Sequence, residues 1–176
     1  MPCAWSRGER GSQCCLNFKR QTCCGLACNA LHIVNLKTRV VTVVPGSNDL
    51  FSPRWSPDGR YLVAIPLDKS RLKLYDMNLH TWQDLTGDLR VHYPAWTPDS
   101  KCVVFGSSEL KGTTVWEDRV CLADRKVQQI TNMAASGNLV LDFGSYWWTG
   151  LAPDGSILAL RDISTQEIYA LDVKWP

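Results

Sequence analysis

Three segments of the chain repeat one pattern in register: Pro53-Arg54-Trp55-Ser56-Pro57-Asp58-Gly59-Arg60-Tyr61-Leu62-Val63, Pro94-Ala95-Trp96-Thr97-Pro98-Asp99-Ser100-Lys101-Cys102-Val103-Val104, and Thr149-Gly150-Leu151-Ala152-Pro153-Asp154-Gly155-Ser156-Ile157-Leu158. A repeat of this kind constrains the fold more than composition does, because each copy must be one supersecondary unit that buries its apolar face only against its neighbours. Trp55 and Trp96 stand about 41 positions apart, the length of one four-stranded propeller blade of roughly 40–45 residues. Leu151 follows Trp96 by about 55 positions, longer than that period, so the second interval carries an insertion.

Each part of the motif has a mechanical reason. In Ser56-Pro57-Asp58-Gly59, proline presets the backbone at the second turn position, Asp is favoured next, and Gly follows where φ must turn positive. Pro57, Asp58 and Gly59, Pro98 and Asp99, and Pro153, Asp154 and Gly155 are therefore read as structural turns between paired strands. Their carboxylates are read as caps for backbone N–H groups rather than as calcium ligands or general bases. Ser100 replaces glycine in the second copy, at a cost of about 1 kcal/mol if the left-handed conformation is kept. Trp55, Trp96 and Leu151 supply the large residue before the turn that packs between adjacent sheets.

Short β-branched and aromatic runs split by polar turns follow each motif, as strands require. The expected class is all-β, built of propeller blades of four antiparallel strands in an incomplete ring of two full and two partial blades. The partial blade 31–46 holds strands at Leu31–Leu36 and Arg39–Val44. The full blade 53–86 continues with Tyr61–Leu67, Arg71–Met77 and Thr81–Leu85. The full blade 94–131 holds Ala95–Thr97, Cys102–Ser107, Trp116–Leu122 and Lys126–Ile130. The partial blade 144–174 holds Tyr146–Ala152, Ile157–Asp162 and Glu167–Val173. Propellers close with roughly four to eight blades, so this set leaves the ring open, and its open blade edges invite self-association.

Residues 1–30 show neither strand nor helix periodicity and read as an unstructured, Cys-rich leader. Six of the eight cysteines lie there, but the vicinal pairs Cys14-Cys15 and Cys23-Cys24 have the wrong spacing for zinc, so no metal is expected. A disulfide framework is not expected either, and Cys102 and Cys121 read as buried thiols that pack as small hydrophobes. Hydrophobic residues make up 45% of the chain and charged ones 20%, a globular profile. The net charge of +2, from 19 Lys and Arg against 17 Asp and Glu, is too small for a general phosphate-backbone binder, so direct nucleic-acid binding is not expected. No run approaches the roughly 18–20 apolar residues of a membrane span. Without a secretory h-region the default compartment is the cytoplasm, with the periplasm as the alternative if the chain is cut from an exported parent.

The run Trp55-Ser56-Pro57-Asp58-Gly59-Arg60-Tyr61-Leu62, followed by a strand ending near Tyr75-Asp76, resembles the PD40 (WD40-like) repeat of TolB-like β-propellers. The last Pro-Asp-Gly turn with Gln166-Glu167-Ile168-Tyr169-Ala170-Leu171-Asp172 resembles the closing blade of propellers that follow winged-helix or kinase domains in bacterial signalling proteins. The resemblance covers Leu31 to Val173. It implies a non-catalytic protein-interaction or ligand-sensing module, a fragment of a bacterial signal-transduction protein, without a cofactor. Two alternatives travel with it: the propeller part of a winged-helix transcriptional regulator whose DNA-binding domain is absent, and the accessory propeller of a prolyl-oligopeptidase-like peptidase.

The residues agree with a non-enzyme. His32, His80 and His92 lie in no nucleophile elbow, zinc-protease pair or phosphate loop. The candidate binding residues are Arg54, His92, Tyr93, Tyr146, Trp147 and Trp148, at or just before the starts of the innermost strands. In a closed ring they gather around one mouth of the central channel, where aromatic and cationic groups suit a protein or peptide partner or an anionic ligand.

Overall fold

The computed structural model describes residues 13–16, 30–108, 115–136, 141–142 and 146–161. It is built of antiparallel sheets, and its one helical turn among the described residues is the 3₁₀ segment Met133–Ser136.

The first sheet orders β1 (Gln13–Leu16), β2 (His32–Asn35) and β3 (Val41–Val43). The second runs in chain order through β4 (Leu50–Trp55), β5 (Tyr61–Pro66), β6 (Lys73–Asp76) and β7 (Thr81–Asp84). The third does the same with β8 (Arg90–Trp96), β9 (Cys102–Ser108), β10 (Val115–Cys121) and β11 (Val127–Asn132). A hairpin of β12 (Leu141–Asp142) and β13 (Tyr146–Trp147) follows, and then a pair, β14 (Thr149–Leu151) with β15 (Ile157–Ala159). Two four-stranded blades flanked by two partial ones make an open propeller arc. β4 lies against β8, and β8 against β14, so the innermost strands of successive blades are neighbours around one axis.

The blades are held by face-to-face packing. Val63, Ile65, Leu72 and Leu74 of the second sheet share a core with Val91, Val103, Phe105 and Val120 of the third. The other face of the second sheet, with Trp55, Leu62, Ala64 and Tyr75, packs on Leu31, Val44 and Ile33 of the first. Each buried residue of this size contributes about 1.5–3 kcal/mol of apolar burial, which makes the inter-blade junctions the main source of stability. Trp96 closes one junction, donating its Nε1–H to the Arg54 carbonyl at 3.0 Å and stacking on Tyr61 with centroids 6.3 Å apart.

The Pro-Asp turns form as local hydrogen-bond units. The Asp58 carboxylate accepts from the Ser56 hydroxyl and the Arg60 N–H, Asp99 from the Thr97 hydroxyl and the Lys101 N–H, and Asp154 from the Ser156 N–H. Gly59 and Gly155 take φ of +73° and +85°. Ser100 takes +61° in the same place, and its hydroxyl accepts the Asp58 N–H at 3.0 Å, so the residue that breaks the glycine rule ties its turn to the neighbouring blade.

Four expectations need correction. Within the leader expected to be unstructured, Gln13–Leu16 pairs antiparallel with β2. Cys102 and Cys121 are joined in a disulfide instead of standing as thiols. They are 19 residues apart in sequence, and only the register of β9 on β10, which sets them directly opposite, brings them together. The innermost strands start earlier than expected, at Leu50 and Arg90 rather than at the Pro-x-Trp motif. The expected strand Tyr146–Ala152 is broken at Trp148, with Tyr146–Trp147 paired to Leu141–Asp142 and only Thr149–Leu151 serving as an innermost strand. The expected strand Glu167–Val173 lies outside the described residues.

Candidate functional site

The early start of the innermost strands comes from a repeated bulge. Phe51 and Arg54 are three steps apart on β4 but face Ile65 and Val63, two steps apart on β5; His92 and Ala95 of β8 face Gly106 and Val104 in the same way. The extra residue is accommodated by a left-handed φ at the residue before each proline, +53° at Ser52 and +46° at Tyr93. Proline lacks an N–H and belongs on an edge or in a bulge, and β4 and β8 each have one paired side only. A bulky residue in this conformation costs on the order of 1–3 kcal/mol and is a mark of functional segments. The two bulges therefore present irregular backbone along the axis side of adjacent blades.

Arg54 sits at the end of the first bulge. Its Nη1 donates to the Pro53 carbonyl at 2.9 Å, and among the described residues no carboxylate pairs with it. Burial pushes its pKa down from the ordinary arginine value, the signature of a guanidinium that has lost water without gaining an anion. In the same blade Arg71 bridges Asp84 at 2.9 Å and Asp88 at 2.7 Å, and Lys73 reaches Asp84 at 2.9 Å.

His92 belongs to a different environment from the expected mouth. It is 5% exposed, and burial, with Lys69 and Arg90 nearby, pushes its pKa down to about 3. His92 pairs with Gly106, and Gly106 pairs with Glu117, so the three form one row across β8, β9 and β10. A Cβ on Gly106 would lie 3.6 Å from the His92 Cβ and 3.9 Å from Glu117 Oε2. Glu117 is 1% exposed, and burial, with Asp118 adding to it against a contact from Thr149 of β14, raises its carboxyl to about 7. The same row of the second sheet is apolar: Phe51 faces Ile65, and Leu72 lies one step beyond the Ala64–Lys73 pair. Where blade two turns Phe, Ile and Leu toward blade three, blade three turns His, Gly and Glu toward β14.

Asp118, next along β10, points to the opposite face. The Ser107 hydroxyl donates to its Oδ2 at 2.7 Å, and burial raises its carboxyl. It lines a cleft of about 490 Å³ between the second and third sheets with Gly87, Asp88, Leu89, Val127 and Gln129. None of the six residues expected to bind lines this cleft.

The expected cluster is thus divided. Arg54 and Tyr93 lie on the bulges of β4 and β8, at unequal steps, since Tyr93 matches Ser52 while Arg54 matches Ala95. His92 lies between blades rather than on a loop, because the bulge carries the strand past it. Trp148 is 36% exposed, with its ring over Gly150. Tyr146 and Trp147 stand in β13, outside the innermost strand, and their side chains lie outside the described residues. Glu117, Asp118, Gly106 and Thr149 were missed. Their signal was available in the repeat, as a Glu-Asp pair where the preceding blade carries Leu72 and Lys73.

Among solved structures the chain is similar to TolB from Acinetobacter baumannii, at 24% identity and TM-score 0.55 over 72% of this chain and 30% of that one. It is similar to the β-propeller domain of the Trilobed protease from Pyrococcus furiosus, described as having an open velcro topology, at 14% identity and TM-score 0.52 over 73% and 42%. A prolyl endopeptidase matches over 90% of this chain and 26% of its own, at 14% identity and TM-score 0.57. The chain thus spans less than half the length of each. No family model and no curated protein matches it. The fold is the TolB-like β-propeller fold. Among the described residues no helix is long and apolar enough to cross a membrane.

Proposed function

We propose that this chain is a non-catalytic interaction module that holds an extended, carboxylate-bearing peptide along the axis side of its innermost strands. The observation that supports this most directly is Arg54, a partly buried guanidinium facing no carboxylate among the described residues. Such a group gains a charge-assisted, bidentate contact when an anion arrives, because its desolvation has already been met by the fold. The bulge at Ser52-Pro53 leads into it with irregular backbone, and the matching bulge at Tyr93-Pro94 lies on the neighbouring innermost strand. A bacterial signalling parent remains the reading for the whole protein, with the winged-helix regulator as its variant. The disulfide Cys102–Cys121 favours the exported alternative, since such bonds persist in oxidising compartments.

A second reading, the accessory propeller of a peptidase, draws on the likeness to the prolyl endopeptidase over 90% of the chain. Both readings place a peptide at the same strands. The test is fluorescence anisotropy with a labelled Glu-rich dodecapeptide against its Lys-rich counterpart. The Glu-rich probe should bind preferentially, and Arg54→Ala should weaken it by about 10- to 100-fold, the worth of a hydrogen bond to a charged group. Equal binding of both probes, or no loss in Arg54→Ala, would falsify the reading.

A further inference from the structure

Ala64 and Phe105 stand at the same step after the turn carboxylates Asp58 and Asp99, so the rows that run outward from them are counterparts. In the second sheet that row is Ala64, Lys73 and Asp84, and Lys73 Nζ meets Asp84 Oδ1 at 2.9 Å. In the third sheet it is Phe105, Asp118 and Gln129. A carboxylate thus stands where the preceding blade has an ammonium, and a neutral amide where that blade has the matching carboxylate. The third sheet keeps the acid, one strand further in, without its cation.

Asp118 is also set more deeply than the pair it replaces. It is 2% exposed, whereas the side chains of Lys73 and Asp84 are 32% and 41% exposed. Its cross-strand partner Phe105 and its strand neighbour Val120 belong to the apolar core shared with the second sheet. Its Oδ2 accepts from the Ser107 hydroxyl at 2.7 Å, while Oδ1 meets no hydrogen-bond partner among the described residues. Burial raises the carboxyl, with the Ser107 contact acting against it. Arg71, which holds Asp88 at the cleft, is already divided between Asp88 and Asp84. A buried charge is stable only when it is paired and fully hydrogen-bonded, and Asp118 is left with half of that.

The cleft of about 490 Å³ that Asp118 lines has the room and the walls for a small ligand. Such sites are usually clefts of about 300–1,000 Å³, mostly apolar with a few placed polar groups. Leu89, packed on the core of this junction, and the partly exposed Val127 offer aliphatic surface. Asp118 and Gln129 offer oxygen acceptors, and a Cβ on Gly87 would meet nothing within 4 Å, so that side stands open.

We propose that this cleft binds a primary alkylammonium group, with its N–H donors on Asp118 Oδ1 and the Gln129 side-chain carbonyl and its aliphatic stem between Leu89 and Val127. The ammonium enters past Gln129, the exposed side chain directly opposite Asp118 on β11. It takes the part that Lys73 plays in the preceding blade. The site lies wholly within the junction of the two four-stranded blades and shares no residue with the Arg54 site.

The test is calorimetric titration of the full chain with n-pentylammonium at millimolar concentration, at a mildly alkaline pH that keeps the carboxyl ionised and the amine protonated. n-Pentanol, with the same stem and no charge, is the control, and N-acetyl-lysine methylamide presents the same ammonium on a lysine side chain. Pentylammonium should bind about tenfold or more tightly than pentanol, and Asp118→Asn should weaken it about 10- to 100-fold, the worth of a hydrogen bond to a charged group. Gln129→Lys places a tethered ammonium opposite Asp118; it should raise the urea midpoint and weaken pentylammonium by about tenfold or more, and it carries the test should Asp118→Asn fail to fold. Both sources support the proposal: a lysine derivative that binds as tightly as pentylammonium identifies a partner's lysine, and one that binds far more weakly identifies a free amine. Pentanol binding as tightly as pentylammonium, no binding of either ammonium, or undiminished binding to a cooperatively folded Asp118→Asn or Gln129→Lys would each overturn it. Arg54→Ala should leave pentylammonium binding unchanged while weakening the Glu-rich peptide, so the two readings fail separately.

Discussion

Replacing Glu117 by glutamine should abolish the loss of stability that rising pH causes at one junction of the arc. The carboxyl is buried on the face of the third sheet that meets β14, and its pKa rises from 4.5 to about 7, chiefly through desolvation. An acid whose folded pKa is raised holds its proton longer in the fold than in the unfolded chain. Its contribution is therefore fully present below the unfolded value of 4.5 and is lost as pH rises through about 7. A shift of this size corresponds to about 3 kcal/mol. His92 in the same row acts oppositely: its pKa is depressed to about 3, so its contribution is present above the unfolded value of 6.5 and lost as pH falls. The two slopes oppose each other between pH 4.5 and 6.5, and the wild type should be nearly level there.

Glu117→Gln keeps the shape and removes only the carboxyl's slope. Urea unfolding followed by tryptophan fluorescence, at fixed protein concentration because assembly shifts apparent stability, gives the difference between the two proteins directly, and the common slope from His92 cancels. The variant should match the wild type within about 1 kcal/mol at pH 4.5 and exceed it by about 3 kcal/mol at pH 7.5. At typical urea dependence this gap is a midpoint shift of about 1–3 M. A constant offset across the range would mean that Glu117 is already ionised in the fold, and the desolvation argument would fail.

Two further predictions rest on local chemistry. Cys102→Ser should lower stability by about 3 kcal/mol under oxidising conditions, the loop-closure value for a bridge of this span, and should not lower it in excess dithiothreitol; an equal loss in both would mean the thiols pack without bonding. Ser100→Gly should change stability by less than about 0.5 kcal/mol, because relief of the left-handed serine offsets the lost hydrogen bond to Asp58. Ser100→Ala keeps the strain without the bond and should cost about 1–2 kcal/mol, and thermal melts that rank Ala above Gly would refute the pairing of the two terms.

The blade pattern was legible because its determinants are local. A Pro-Asp turn with alternating flanks specifies a hairpin whatever surrounds it, and copies at one spacing must stack, so the second, third and fourth strands of the two full blades fall close to where the sequence places them. What was not legible depends on partners distant in the chain. The disulfide needs the β9–β10 register, β1 needs an edge on β2 that its own residues do not announce, and the bulge at Tyr93 needs an innermost strand with one free side. The same distinction explains the misplacement of His92. Counted from the motif it precedes a strand and looks like a loop residue; counted by repeat it takes the place of Phe51, a position that packs on the next blade. A polar side chain at a packing position must be matched from across the junction, and Gly106, Glu117 and Thr149 are the residues that change with it. Comparing repeats row by row, instead of scanning for motifs, therefore finds the polar junction from sequence alone: the informative residue is the one that departs from its own copy.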